Sequence, residues 1–263
     1  MDVGVWCRLQ LPRRIAQGGV SRRALKRMDL SLARRVEPEL LDGLAADDPR
    51  ARRSREDLQR LHRAMATLPI VERALDRGTS GFVPRKVLEL GAGDGSLMLR
   101  LARKRAARWP NVHVALLDRL NLVTPPTLDG FRVLGWTPTV VEMDVGDWLA
   151  ERDGSRWDIV LANLFVHHFA GGELQRLLAG IAARTFVFLC CEPRRSVLAL
   201  AGSHLVGLIG AGPVTRQDAV SSVQAGFRAR ELSSLWPNGR DWVVSEFSAG
   251  LFSHCFLAVR KER

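Results

Sequence analysis

Three glycines at alternate positions, Gly91, Gly93 and Gly95, stand in the stretch ELGAGDGS between an apolar run and a pattern of helical period. Glycine turns the backbone sharply and lets a ligand approach within contact distance. The spacing excludes a P-loop, because no Gly-Lys-Ser/Thr follows. It also departs from the G-x-G-x-x-G dinucleotide fingerprint, because Ser96 takes the final position. Glu89 comes two positions before Gly91. A carboxylate there repels a pyrophosphate and suits a cation, such as the ammonium of an amino-acid moiety, met directly or through water. The next apolar run ends at Asp118, whose carboxylate could accept both hydroxyls of a ribose. The third ends in EMDVGDW, where Asp144 and Val145 are placed to meet an adenine amino group and ring face. Each signal alone is weak, since an aspartate at a strand end is often only a helix cap. As an ordered set at successive strand ends they predict a ligand that joins a nucleoside to an amino acid.

A second group is the pair His167 and His168 in LANLFVHHFAGG. The pair could ligate a metal, act as general base, or pack. Adjacent histidines on a turn seldom converge on one ion, and no nearby carboxylate pair completes a site, so no metal is expected. A neutral imidazole titrates near physiological pH and can take a hydroxyl proton. His168, His167 and His204 are therefore the candidate bases, each with a packing role as the alternative. Arg194 and Arg195 could fix an acceptor oxygen or simply cover the end of the sheet.

These residues need a scaffold. KVLELGAG (86–93), HVALLD (113–118), TPTVVEMD (137–144), WDIVLANLF (157–165) and TFVFLCCEP (185–193) read as strands. SLMLRLARKRAARW (96–109) and GGELQRLLAGIAART (171–185) are the clearest helices between them. Nearly continuous apolar strands alternating with helices imply a parallel sheet covered on both faces, doubly wound by right-handed crossovers. Ligands of such sheets bind at the carboxyl ends of the strands, where strand order reverses. The tail, 241–261, reads as an antiparallel hairpin at the sheet edge. Residues 1–80 read as a helical extension or lid, broken at Pro49 and Pro69, and residues 81–263 as the ligand-binding domain. The 47 residues 194–240 form a long connection, apolar and glycine-rich in SVLALAGSHLVGLIGAG. Such a connection is either a core helix or part of the roof over an apolar acceptor pocket.

The chain resembles a class I S-adenosylmethionine-dependent methyltransferase. ELGAGDG is similar to that family's first motif, LLD to its ribose-binding strand end, EMDV to its adenine-binding segment, and DIVLANLFVHHF to its fourth motif. The resemblance implies a seven-stranded, mostly parallel sheet of order 3-2-1-4-5-7-6 with strand 7 antiparallel. It implies S-adenosylmethionine as cofactor, held by Glu89, Gly91, Ala92, Gly93, Gly95, Asp118, Arg119, Asp144, Val145 and Asn163. Members that methylate amino groups of nucleic-acid bases often carry two prolines after Asn or Asp at the end of strand 4. Here Leu164 and Phe165 follow Asn163, which argues against base methylation. RMD near the N-terminus, CEPRRS and GAGPVTRQDAV further resemble the small-molecule methyltransferases found beside bacterial type III polyketide synthases. That likeness implies O-methylation of a phenolic, often long-chain, product.

Composition bounds the partners. The net charge is +11, with 39 basic residues of which only four are lysine, and residues 1–36 carry nine basic and two acidic side chains. An arginine bias of this kind also follows from a GC-rich genome. The basic segment holds one aromatic, Trp6, and lacks the stacking cluster that single-stranded nucleic acid needs. Nucleic acid is therefore not the expected partner, although an RNA or protein methyltransferase guided by this segment is the alternative function. A non-catalytic protein of the same fold is the third reading. Cys7, Cys190, Cys191 and Cys255 make neither a zinc motif nor a disulfide framework, and buried free thiols fit a reducing cytoplasm. No run suits a spanning helix, which leaves peripheral membrane contact open. A signal peptide is not expected; a transit peptide remains an alternative for the acid-poor N-terminus. The expected acceptor is a hydroxyl on a hydrophobic small molecule, and the oligomeric state is open.

Overall fold

A computed structural model describes residues 32–151 and 156–261. Residues 32–39 form no regular secondary structure and lead into a 3-10 turn at Leu41–Gly43. Helices α1 (Pro49–Ala64) and α2 (Thr67–Gly78) precede the sheet, which begins with β1 (Lys86–Leu90). Then come α3 (Ser96–Arg105), β2 (His113–Asp118), α4 (Pro125–Val133), β3 (Thr137–Glu142), α5 (Val145–Ala150) and β4 (Trp157–Asn163). The chain continues through α6 (Gly171–Arg184), β5 (Thr185–Pro193), α7 (Val197–His204), α8 (Pro213–Ala225), α9 (Glu231–Leu235), β6 (Trp242–Ala249) and β7 (Ser253–Arg260). The seven strands lie in the order 3-2-1-4-5-7-6, with β7 antiparallel to both neighbours and the remaining pairs parallel.

The burial pattern explains why the strands were legible. β1, β4 and β5 are buried along nearly their whole length, because helices cover both faces of a doubly wound sheet. β3 is an edge strand and alternates, and it tolerates Pro138 because its outer side needs no ladder donor. Two cores result. On one face, α2 and α3 bring Val71, Leu75, Met98 and Leu101 against Val87 and Leu161. On the other, Leu177, Leu178 and Ile181 of α6 and Trp236 pack on Leu88, Phe188 and Phe256. Alternation along the strands puts Glu89, Asp118 and Asn163 on the first face, at the carboxyl ends.

Three sequence expectations shift. α2, read as part of the extension, packs into the core: a Cβ on Gly78 would lie 3.0 Å from Leu257 and 3.1 Å from Val187. Among the described residues before it, the helical reading holds from Pro49, which follows the N-cap Asp48. β3 and β4 stop two residues early, at Glu142 and Asn163. Asp144 instead caps α5, and Leu164 leaves the strand with a left-handed φ of 51°. The RMD stretch, Cys7 and most of the basic segment lie outside the described residues. Cys190, Cys191 and Cys255 are buried free thiols. Among the described residues no helix is long and apolar enough to cross a membrane.

Candidate active site

The glycine loop turns directly off β1. Gly91, Gly93 and Gly95 have φ of 67°, 54° and 70°, a region that disfavours side chains. A Cβ at Gly91 would lie 2.4 Å from the Phe165 ring, whereas one at Gly93 would meet nothing within 4 Å. The loop is thus pressed against Phe165 on one side and open at Gly93 on the other. Ala92 N–H donates to Leu117 O at 3.0 Å, which ties the loop to β2. Beneath it Glu89 is buried, and its Oε2 has no hydrogen-bond partner among the described residues. Burial, then the charges of Asp94 and Asp118, raise its pKa well above the usual glutamate value. A buried carboxylate without a partner is costly and calls for a cation or donor.

Asp118 accepts from Gly93 N–H at 2.8 Å and from Leu120 N–H at 3.1 Å. It therefore braces the glycine loop and still has lone pairs to spare. Arg119 does not turn to the loop; it forms a 3.0 Å ion pair with Asp42. Asp144 accepts from Gly146 N–H at 2.7 Å as the cap of α5, and Val145 is buried in the second core. Asn163 comes to the loop at the end of β4, its Oδ1 buried and without a partner among the described residues.

α1 contributes two residues that the sequence did not single out. Gln59 donates to Asp94 Oδ2 at 2.5 Å, and His62 Nε2 lies 3.4 Å from Asn163 Nδ2. Burial, then the charge of Arg100, lowers the His62 pKa to about 4. Its neutral ring nitrogen accepts from the amide. No local pattern marks either residue, because the contacts span 35 and 101 positions.

The two histidines, adjacent in sequence, differ in chemistry. His167 is buried, with Nδ1 2.7 Å from Glu192 Oε2 and Nε2 3.3 Å from Glu39 Oε1. Burial alone lowers its pKa, but the hydrogen bonds and charges of Glu192 and Glu39 outweigh it and raise it to about 9. Held between two carboxylates, both ring nitrogens of His167 are already engaged. Glu192 also accepts from the backbone N–H of Val166 at 3.0 Å and of Phe165 and His167 at 3.3 Å, so it organises the whole turn. A carboxylate at the end of the apolar run TFVFLCCEP was the available signal, since a buried charge needs partners. His168 is only partly buried, and its ring lies 4.2 Å from that of His167. Burial, then the charge of His167, lowers its pKa. Its Nδ1 is 3.7 Å from Asp42, and among the described residues nothing hydrogen-bonds to its Nε2. His204 is exposed at the end of α7, and its neighbours Ser203 and Leu205, not its own ring, line the cavity described below. Carboxylates thus do accompany the histidines: ligand atoms of Glu39, His167 and His168 lie within 4.8 Å of one another. The reason for expecting none fails because Glu39 arrives from 128 positions away.

Glu39 belongs to a strap that the sequence read as helical. Arg34 donates to Ala225 O at 2.7 Å, His167 O at 3.0 Å and Phe169 O at 2.9 Å. Asp218 accepts from the Leu40 and Leu41 amides at 2.8 and 3.0 Å. Arg195 is likewise structural, donating to Leu32 O at 2.8 Å, to Gly226 O and to Glu231. Between strap, α1, α7 and α8 lies a mostly apolar cavity of about 310 Å³. Leu58, Leu61, Met65, Leu164, Val206 and Phe252 are among its walls, and Glu39 lies at its edge. Several residues of the 194–240 connection therefore line this cavity.

The strand order, the antiparallel β7 and the glycine loop after β1 together define the class I methyltransferase fold. Known structures agree. A plantazolicin methyltransferase in complex with SAH matches with a TM-score of 0.60, at 12% identity over 82% of this chain and 92% of that one. An O-methyltransferase family protein from Burkholderia thailandensis matches with a TM-score of 0.52, at 19% identity over 82% of this chain and 61% of that one. At such identities the likeness shows the fold. No protein-family model matches the chain, and no curated protein matches its sequence.

Proposed function

We propose that the protein is an S-adenosylmethionine-dependent methyltransferase whose acceptor is a hydroxyl of a hydrophobic, phenolic small molecule. The observation that carries this reading is Glu89: a buried carboxylate with an unpartnered oxygen, under a glycine loop that is open at Gly93. The residues fit a sulfonium nucleoside with an amino-acid tail. Glu89 would hold the ammonium, with the unpartnered Asn163 Oδ1 beside it; Asp118 the ribose; and Asp144 and Val145 the adenine. Gly91, Gly93 and Gly95 let the backbone approach, with Ala92 and Asp118 holding the loop in place. Arg119 supports from outside through Asp42. The bound cofactor supplies an electrophilic methyl group. The protein must align the acceptor, exclude water and remove a proton. The apolar cavity does the first two. For the third, His168 is the base: burial and the charge of His167 lower its pKa, and a nitrogen of its ring lies within 4.8 Å of a carboxylate oxygen of Glu39, which lines the cavity. His167, held by Glu192 and Glu39, fixes the turn that carries it.

The test is transfer of a radiolabelled methyl group from S-adenosylmethionine to phenolic lipids, quinones and total RNA. Label in an apolar phenol, lost in Glu89→Gln, is expected. Label in RNA alone would refute the acceptor, and failure to bind S-adenosylhomocysteine would refute the whole reading.

A further inference from the structure

We infer that the outer face of α7 and of the turn after it docks on an anionic lipid surface, so that the cavity opens into the bilayer. Among the described residues eleven large apolar side chains are exposed, and six of them lie here: Val197, Leu198, Leu205, Leu208, Ile209 and Leu251. Leu208 is 82% exposed. The hairpin turn lies beside α7, because Gly202 of α7 packs on Phe252, the neighbour of Leu251. Concentrated apolar exposure marks an interaction surface.

Charge and shape point to lipid. From Arg194 to Gln217 the sequence holds no acidic residue, and two of its three arginines, Arg194 and Arg216, reach solvent while Arg195 is buried. Arg194 reaches toward Gly250 O at the hairpin turn, and Arg216 lies against Gly207. Arginines beside an apolar face are the pattern of an interfacial element on anionic headgroups. Leu205 and Ile209 are both exposed and part of the cavity wall, so the cavity opens at the patch itself. A lipid surface accounts for both features: it covers the exposed side chains and supplies an apolar ligand through the mouth.

Flotation of the full chain with phosphatidylcholine vesicles, with and without about 30 mol% phosphatidylglycerol, tests this. Binding is expected only to the anionic vesicles, and should weaken at about 0.5 M salt. The variant V197S/L198S/L208S changes exposed side chains outside the cavity wall. It should bind these vesicles about tenfold less while keeping the wild-type melting temperature. Both proteins retain residues 1–31, so the loss reads the patch and not the basic N-terminal segment. Wild-type binding by the variant would overturn the proposal, as would no binding by either protein. A concentration-dependent dimer abolished by the same substitutions would assign the patch to a second copy of the chain. The readout involves no methyl transfer, so docking and the proposed reaction fail separately.

Discussion

Replacing Glu89 by Gln preserves shape and removes the ability to ionise. The wild-type carboxyl is buried, with one oxygen unpartnered among the described residues. Burial first, then Asp94 and Asp118, raise its pKa, so the folded protein keeps a proton that the unfolded chain has released. Stability therefore falls as pH rises from the ordinary glutamate value of 4.5 toward the raised one. Glu89→Gln removes that loss and should raise the melting temperature of the ligand-free protein at neutral pH, by roughly 2–4 °C for each kcal/mol recovered. Cofactor binding should move the other way. A charge-assisted hydrogen bond is worth about 1.5–3 kcal/mol, or roughly 10- to 100-fold in Kd. A bound ammonium lowers the carboxyl pKa again, so binding releases a proton and affinity rises with pH across the same window. Calorimetry with S-adenosylhomocysteine in buffers of different ionisation enthalpy, beside thermal melting, reads all three effects. A variant that binds as tightly as wild type, or that melts lower without ligand, would refute the assignment of Glu89 to a cation.

Other expectations follow from the same geometry. His167, at about 9 against an ordinary 6.5, contributes stability that is complete below pH 6.5 and is lost as pH rises toward 9. Its size is on the order of 3 kcal/mol, and His167→Gln should flatten the fall of melting temperature across that range. His168→Gln should lower kcat about 100-fold with cofactor affinity unchanged, whereas His204→Gln should leave turnover near wild type; equal rates in all three would leave packing as the only role of the pair. Gly91→Ala forces a left-handed residue against the Phe165 ring. It should cost about 1–3 kcal/mol, and part of that should return when Phe165 is cut to Ala, as measured by denaturant unfolding.

The sequence alone determined the sheet. Strands buried on both faces must be apolar throughout, so β1, β2, β4 and β5 stand out as runs, and the glycine spacing with Glu89, Asp118 and Asp144 follows them in order. Strand ends were less legible, because a left-handed Leu164 and a cap at Asp144 are backbone events that side-chain pattern hardly marks. The division of labour between His167 and His168 was invisible. It depends on Glu192, 25 positions on, and Glu39, 128 positions back. Glu39 sits in a stretch whose composition suggested a helix; Arg34 and Asp218 anchor it instead as a strap without regular structure. Only packing decided that His62 meets Asn163, that Arg119 turns to Asp42, and that α1 belongs to the site. Periodicity reports which face of an element is buried, whereas pKa and partner depend on which distant groups the fold brings within hydrogen-bond reach.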